Sequence, residues 1–407
     1  MKKRIQDMDV KGKKVLLRCD FNVPIKDGKI LDDSKIVESL ATIEYLIKEG
    51  AKIIILSHFG KVRTEEEKKT NSLAPVAKHL QELVSTKVIF STSTRSIFLE
   101  DKISEMQPGE IIVLENTRFE DVPNRLESTN DTQLSMYWSS LADIFCLDAF
   151  GSAHRKHAST YGVAKYLPSC IGFLVQKEVE MLDKHILHAT RPFTILMGGA
   201  KVEDKVALIE ALLPRCDNLL LTGGIANSCL YTLGYNVGES LRTTDPDVMR
   251  QLKNIIIENK KKIMLPLDAI VGRSYNPEYF NHVNIDAVEE DDIIYDIGMK
   301  TVNKYKLVLS KSATIFVNGT AGKYEDPKYA TGTRELLGGI VASQAIKVAG
   351  GGDGVSAVKN FGLADRFTFL STGGGATLEY IINGGLPAID NIQDAEERQP
   401  EPNVEQN

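Results

Sequence analysis

Short apolar runs alternate with stretches of helical period along nearly the whole chain, and no other feature limits its possible folds so strongly. The first half carries "KVLLRCDF" (14–21), "AKIIILSHF" (51–59), "KVIFSTS" (87–93), "EIIVLENTRF" (110–119) and "DIFCLDAFG" (143–151). The second half carries "FTILMGG" (193–199), "NLLLTGG" (218–224), "KIMLPLDA" (262–269), "IIYDIG" (293–298), "TIFVNG" (314–319), "IKVAGGG" (346–352) and "RFTFLSTGGG" (366–375). Helical stretches such as "SKIVESLATIEYLIKEG" (34–50) and "VEDKVALIEALL" (202–213) lie between them. Strand, helix, strand in this rhythm means right-handed crossovers, hence parallel, doubly wound α/β sheets with helices on both faces. A dozen strands overfill one such sheet, so two sheets of about five or six are expected.

At 407 residues two domains are also the first expectation from length. We place an N-terminal domain over 1–170, an interdomain helix over 171–188 and a C-terminal domain over 189–393, whose last segment packs back on the N-terminal lobe. Residues 394–407, almost without apolar side chains and holding two prolines, read as a disordered tail. A hydrophobic content of 43% with 26% charged residues is that of an ordinary soluble protein. The net charge of −6 argues against non-specific nucleic-acid binding, although a local basic pocket can sit inside an acidic molecule. No apolar run approaches the roughly 20 residues that span a bilayer. Five scattered cysteines without a Cys-x-x-Cys pair suit free thiols, so a cytoplasmic chain with no membrane partner is expected.

Parallel sheets bind ligands beyond the carboxyl ends of their strands. In the first half those loops hold Arg18, Asp20 and Asn22, then His58 and Lys61, then Arg118, then His154 and Arg155. Any one of these cations reads equally well as a solvated side chain. Four strand ends agreeing on positive charge point to a small anion with phosphate or carboxylate groups. In the second half the strand ends read "GGAK", "TGGIAN", "NGTAGKYE", "GGGDG" and "STGGGA". One glycine triplet is equally a turn. Several of them, joined by Lys201 and Lys205 expected on one face of a helix, read as a phosphate cradle of backbone N–H groups. The P-loop motif, the dinucleotide fingerprint and the protein-kinase motifs are all absent. Cys19 reads as a buried strand residue, and His154 and His157 as residues that shape a loop.

"RCDFNVP" (18–24), "SHFGK" (57–61), "LENTRF" (114–119), "DAFGSAHR" (148–155), "GGAKVEDK" (198–205), "NGTAGKYE" (318–325), "GGGDG" (350–354) and "STGGGATLE" (371–379) resemble, in order, the motifs of phosphoglycerate kinases. The resemblance runs from about residue 10 to about 390, and "GFLVQKEVEML" looks closest to archaeal members. It implies two Rossmann-like lobes joined by a hinge helix, in a hinge-bending monomer of glycolysis and gluconeogenesis. The N-terminal lobe would take 3-phosphoglycerate or 1,3-bisphosphoglycerate, and the C-terminal lobe ADP or ATP with Mg2+. Asp20, Phe21, Asn22, Lys35, His58, Phe59, Gly60, Lys61, Arg118 and Arg155 would meet the acid. Gly199, Ala200, Lys201, Lys205, Asn318, Glu325, Gly351, Gly352, Asp353 and Gly354 would meet the nucleotide, with Asp353 holding its magnesium. Lys35, Lys201, Gly373 and Gly374 would act on the phosphoryl in flight. Transfer between a carboxylate and ADP needs no general base, only in-line alignment and charge neutralisation, which suits a site without a catalytic dyad.

The chain departs from the family pattern at named positions. Lys35 stands where the family has its catalytic arginine, Lys61 replaces another arginine, Thr320 a proline, Gly354 a threonine and Leu147 an asparagine. A lysine keeps the charge but loses the planar fork that grips two oxygens. Arg63, two positions beyond Lys61, is the expected substitute at the substrate phosphate. These changes leave open an alternative: an impaired paralogue that binds the ligands as a scaffold without turning them over.

Overall fold

A strand buried on both faces must be apolar throughout, and the first half supplies five such segments that pair side by side. The computed structural model describes residues 2–395. The described residues divide into two compact units, 2–178 with 385–395, and 179–384.

In the first unit the strands are β1 (Lys14–Cys19), β2 (Lys52–Leu56), β3 (Val88–Phe90), β4 (Ile111–Val113), β5 (Ile144–Asp148) and β6 (Ser169–Ile171). They form one parallel sheet in the order β3-β4-β2-β1-β5-β6. β6 has no counterpart among the apolar runs; it is three residues long and its cysteine and serine carry no strand pattern. Helix α1 (Ser34–Lys48) covers one face, burying Ile36, Ile43 and Leu46 against a core that includes Val15, Leu17, Ile53 and Ile55. The chain leaves this unit within α2 (Phe173–Leu182). The buried Asp148 carboxylate at the end of β5 accepts the N–H groups of Leu174 (3.0 Å) and Val175 (3.3 Å), satisfying otherwise orphaned donors of α2's first turn. The segment after 385 returns to this unit, where Asn391 Nδ2 donates to the Tyr161 carbonyl (2.9 Å). Of the tail expected over 394–407, residues 396 onward lie outside the described part.

The second unit holds β7 (Phe193–Met197), β8 (Asn218–Leu221), β9 (Ile263–Met264), β10 (Asp268–Arg273), β11 (Asn276–Asn284), β12 (Ile293–Ile297), β13 (Thr314–Asn318), β14 (Ile346–Ala349) and β15 (Phe369–Leu370). A six-stranded parallel sheet runs β9-β8-β7-β13-β14-β15. The run 262–269 is not one strand as its composition suggests. It breaks around Pro266, which has no N–H to give a ladder, and its second part starts a separate antiparallel sheet ordered β11-β10-β12. The run 293–298 belongs to that antiparallel sheet too. Helices α3 (Glu203–Leu212), α4 (Gly223–Thr232), α5 (Thr331–Ala342), α6 (Gly352–Asn360) and α7 (Gly375–Asn383) complete the part that matters for the site. Both glycine triplets open helices. Gly351 and Gly374, the residues just before α6 and α7, have φ of +83° and +56°, a region a side chain disfavours.

Candidate functional site

In the first unit the carboxyl edge of the sheet carries a connected polar network. Asp20 follows β1, and its Oδ2 lies 3.1 Å from the Lys35 ammonium in the first turn of α1. Its Oδ1 accepts the Asn22 N–H (3.2 Å), and Asn22 Oδ1 accepts the Gly60 N–H (3.0 Å). The loops after β1 and β2 are thereby locked together, with Ser57 Oγ accepting the N–H of the fully buried Phe21 (2.8 Å). Asn116 ties in a third loop. Its Oδ1 accepts the N–H groups of Phe59 and Arg118 (3.0 Å each), and its Nδ2 donates to the carbonyls of Phe59 (2.7 Å) and Asn71 (2.8 Å).

Charge in this network is set by burial and by neighbours. Arg18 is 1% exposed; its Nε donates to Ser159 Oγ (2.9 Å), which bonds in turn to the buried Glu127. A second guanidinium nitrogen lies 3.1 Å from His58 Nδ1. An arginine can only donate, so that nitrogen of His58 accepts and the ring proton sits on Nε2. Burial pushes the His58 pKa down to about 3, which keeps the ring a neutral hydrogen-bond partner. Burial pushes the Asp20 carboxyl up, but the neighbouring charges of Lys35 and Arg18 oppose it, and the group lies below its ordinary value.

Lys61, Arg118 and Arg155 line one open cleft of about 690 Å³, together with Arg63, Asp121, Arg125 and His157. Arg118 Nη1 bonds Asp121 Oδ2 (3.0 Å) and Ser128 Oγ (2.7 Å), whereas its buried Nε has no partner among the described residues. His157 is held neutral, its pKa pushed to about 3 by burial. An excess of cations over one carboxylate in a concave surface suits an anion. Arg125 escapes a sequence reading because a lone loop arginine looks like any solvated side chain. Cys19 is a buried strand residue as expected, its thiol pushed up by burial.

The second unit builds its site from main chain. Gly199 and Ala200 after β7, Glu325 after β13 and Asp353 at the start of α6 share a cavity of about 440 Å³. The cavity also takes Gly223, Gly224 and Asn227 of α4, and Leu241, Ile285 and Ile293 give it an apolar wall. That wall comes mostly from the region of the antiparallel sheet, which no phosphate-loop signal in the sequence announces. Lys205 is 8% exposed and donates to Asn318 Oδ1; Asn318 Nδ2 donates to the Gly350 carbonyl (2.8 Å). Burial lowers the Lys205 pKa, and the nearby Asp353 opposes this. A Cβ placed on Gly199 would stand 3.8 Å from Asp353 Oδ2 and 3.9 Å from Lys205 Cε, so these three positions crowd one spot.

Lys201 does not share a helix face with Lys205. Helix α3 begins only at Glu203, which leaves Lys201 exposed in the preceding loop. Lys201, Gly373 and Gly374 do not line the cavity; the two glycines stand just before α7. Gly352 and Gly354 lie in the first turn of α6, with the Gly354 backbone packed beside Gly319. Buried Asp296, another wall residue, is pushed up to about 7 by burial.

Known proteins share both the sequence and the fold. Residues 5–384 match the profile of the family described as phosphoglycerate kinase. A curated phosphoglycerate kinase from Macrococcus caseolyticus is 44% identical, covering 97% of this chain and 100% of the relative. One from Listeria monocytogenes is 42% identical, with 97% and 99% covered. Among solved structures, phosphoglycerate kinase from Coxiella burnetii superposes with a TM-score of 0.85 at 36% identity, covering 96% of this chain and 98% of that one. The enzyme from the archaeon Pyrococcus horikoshii gives 0.80 at 32%, covering 95% and 98%. The expected archaeal affinity finds no support, since the bacterial relatives are the more similar. By profile, by relatives and by fold, the chain belongs to the phosphoglycerate kinase family.

Proposed function

We infer that the chain is a phosphotransferase with a carboxyl acceptor, moving a phosphoryl group reversibly between 1,3-bisphosphoglycerate and ADP to give 3-phosphoglycerate and ATP. The observation that carries this reading is the pairing of full-length family similarity with two chemically distinct sites, one rich in cations and one rich in backbone donors. Asp20, Asn22 and Lys35 orient the carboxylate and hydroxyl end of the acid, and neutral His58 donates from Nε2. Lys61, Arg118 and Arg155 receive its phosphate, to which the unpartnered Nε of Arg118 offers a ready donor. Gly199, Ala200, Lys205 and the start of α6 hold the nucleotide phosphates, and Glu325 its ribose. Lys201, Gly373 and Gly374 would move to the phosphoryl only in the liganded state.

The donor set fits a magnesium ion carried in with the nucleotide. Asp353 is a hard oxygen ligand without an ion-pair partner among the described residues, and it stands beside the glycine loop that would hold the phosphates. That ion would neutralise phosphoryl oxygen charge; the chain's own part is to align, to donate hydrogen bonds and to hold water away. We assign the acid to the domain 1–170 and the nucleotide to the domain 189–393, joined through 171–188. The same reading takes the protein as a cytoplasmic monomer acting on small molecules alone. The relatives give no support to a scaffold without turnover. A coupled assay of ATP formation from 1,3-bisphosphoglycerate tests the inference. Turnover falling by at least about 10²-fold in Asp353→Ala is expected, and absence of turnover in the folded parent protein would overturn it.

A further inference from the structure

We propose that Arg125 is a specificity-determining residue for the phosphate end of the three-carbon acid, acting with Arg63 where the chain carries Lys61. The proposal rests on the functional reading above and adds a residue that neither the motifs nor the fold family assigns. Arg125 lines the same cleft as Lys61, Arg118 and Arg155. Its backbone is the telling feature. φ is +55°, the left-handed region, where a long side chain is disfavoured and glycine or asparagine sits without strain. An asparagine is in fact its neighbour, at 124.

The turn is nonetheless held firmly in that shape. The Arg125 N–H donates to the Asp121 carbonyl (2.9 Å), the Leu126 N–H to the Glu120 carbonyl (3.0 Å), and the Ser128 N–H to Asp121 Oδ1 (2.7 Å). A strained residue that persists in a well-determined turn points to a use for its side chain. That side chain has no ion-pair partner among the described residues, whereas Arg118 beside it already spends one nitrogen on Asp121. Arg63 is placed comparably: its N–H is fixed on Glu67, Val62 before it is buried, and its guanidinium, at the cleft, has no ion-pair partner among the described residues. Lysine at position 61 offers a point charge, so two free guanidiniums restore the planar, two-pronged grip that suits a phosphate.

The strain itself makes the test clean, because Arg125→Gly removes the guanidinium and relieves the backbone together. Steady-state kinetics and thermal melting are measured on the full-length parent, Arg125→Gly, Arg125→Lys, Arg63→Gln and the double variant Arg63→Gln/Arg125→Gly. The expected result for Arg125→Gly is a KM for 3-phosphoglycerate raised about 5- to 20-fold. Its KM for ATP should stay within about twofold and its Tm should be equal or higher. Arg125→Lys should recover part of the loss, and the double variant should exceed either single one. A glycine variant with unchanged KM for 3-phosphoglycerate overturns the proposal, as does a rise shared equally by both substrates. A parent protein without phosphoglycerate-dependent turnover would instead overturn the functional reading, so the two failures are distinct.

Discussion

On the proposed reading the two units meet the same task, holding a polyanion, with opposite materials. In the first, long side chains would do it: Lys35 from the first turn of α1, and Lys61, Arg118 and Arg155 from the strand-end segments, where Asn22, Ser57 and Asn116 fasten the loops together. In the second, main chain would do it, at Gly199 and Ala200 after β7 and at the start of α6, with one buried lysine supporting Asn318. The side-chain site can tolerate exchange of one cation for another, because reach and rotamer absorb the difference. The main-chain site cannot, because it depends on φ values and on the lack of a Cβ. This fits where the chain departs from the family pattern in its cations: both arginine-to-lysine changes, at 35 and 61, fall in the first unit, while Lys201 and Lys205 are kept and the departures in the second unit's loops, Thr320 and Gly354, exchange uncharged residues.

The sharpest way to break this contrast is Lys205→Met, which keeps the stem and removes the positive charge buried beneath the nucleotide loops. We expect kcat lower by about 10²–10³-fold with KM for 3-phosphoglycerate nearly unchanged; an equal effect on both substrates would mean that the two sites are not chemically separate. Next comes Lys35→Ala, expected to lower kcat/KM for 3-phosphoglycerate by about 10²-fold and to leave ATP binding, measured by titration calorimetry, within about twofold. Lys35→Arg should keep most of the activity, as the tolerance of a side-chain site requires.

The smallest effect concerns the respect in which the two units agree. Asp148 in one and Asp296 in the other are both pushed up to about 7 by burial. Between the ordinary carboxylate value of 3.8 and about 7, the folded Asp148 keeps a proton that the unfolded chain has lost, so its contribution to stability falls as pH rises through that window. Asp148→Asn retains an acceptor for the Leu174 and Val175 N–H groups without the buried charge. It should gain about 1–3 kcal/mol on the parent at pH 8 and little or nothing at pH 4. Melting curves at the two pH values that run parallel would refute it.

How much of this is legible in the sequence depends on the size of the signal. Ten of the twelve apolar runs fall in the two parallel sheets and an eleventh, 262–269, does so in part, because strands buried on both faces have to be apolar. What escapes is short or amphipathic: β6, with three residues, and β11, whose "NPEYFNHVN" is largely exposed and alternates too weakly to read as a strand. The strand-end loops that bring the cations and the glycines together are legible from residue type. The face expected to join Lys201 and Lys205 is wrong, because nothing in "GGAKVEDK" marks the residue at which the helix takes over. The apolar wall of the nucleotide cavity and the part of Arg125 in its cleft depend on chain segments distant in sequence, or on a backbone angle, and neither leaves a local pattern.

Strand β11 carries one more consequence. Nine residues long, at the margin of its sheet, it pairs on one side only among the described residues. Such a border invites a neighbouring molecule to add its own strand, and concentrated solutions then thicken into aggregates. Pro277 near its start cannot donate to an incoming chain, and the polar Asn276, Glu278, Asn281 and His282 make the border wet. Changes that make this strip more apolar should therefore come at the expense of solubility, whatever they add to stability.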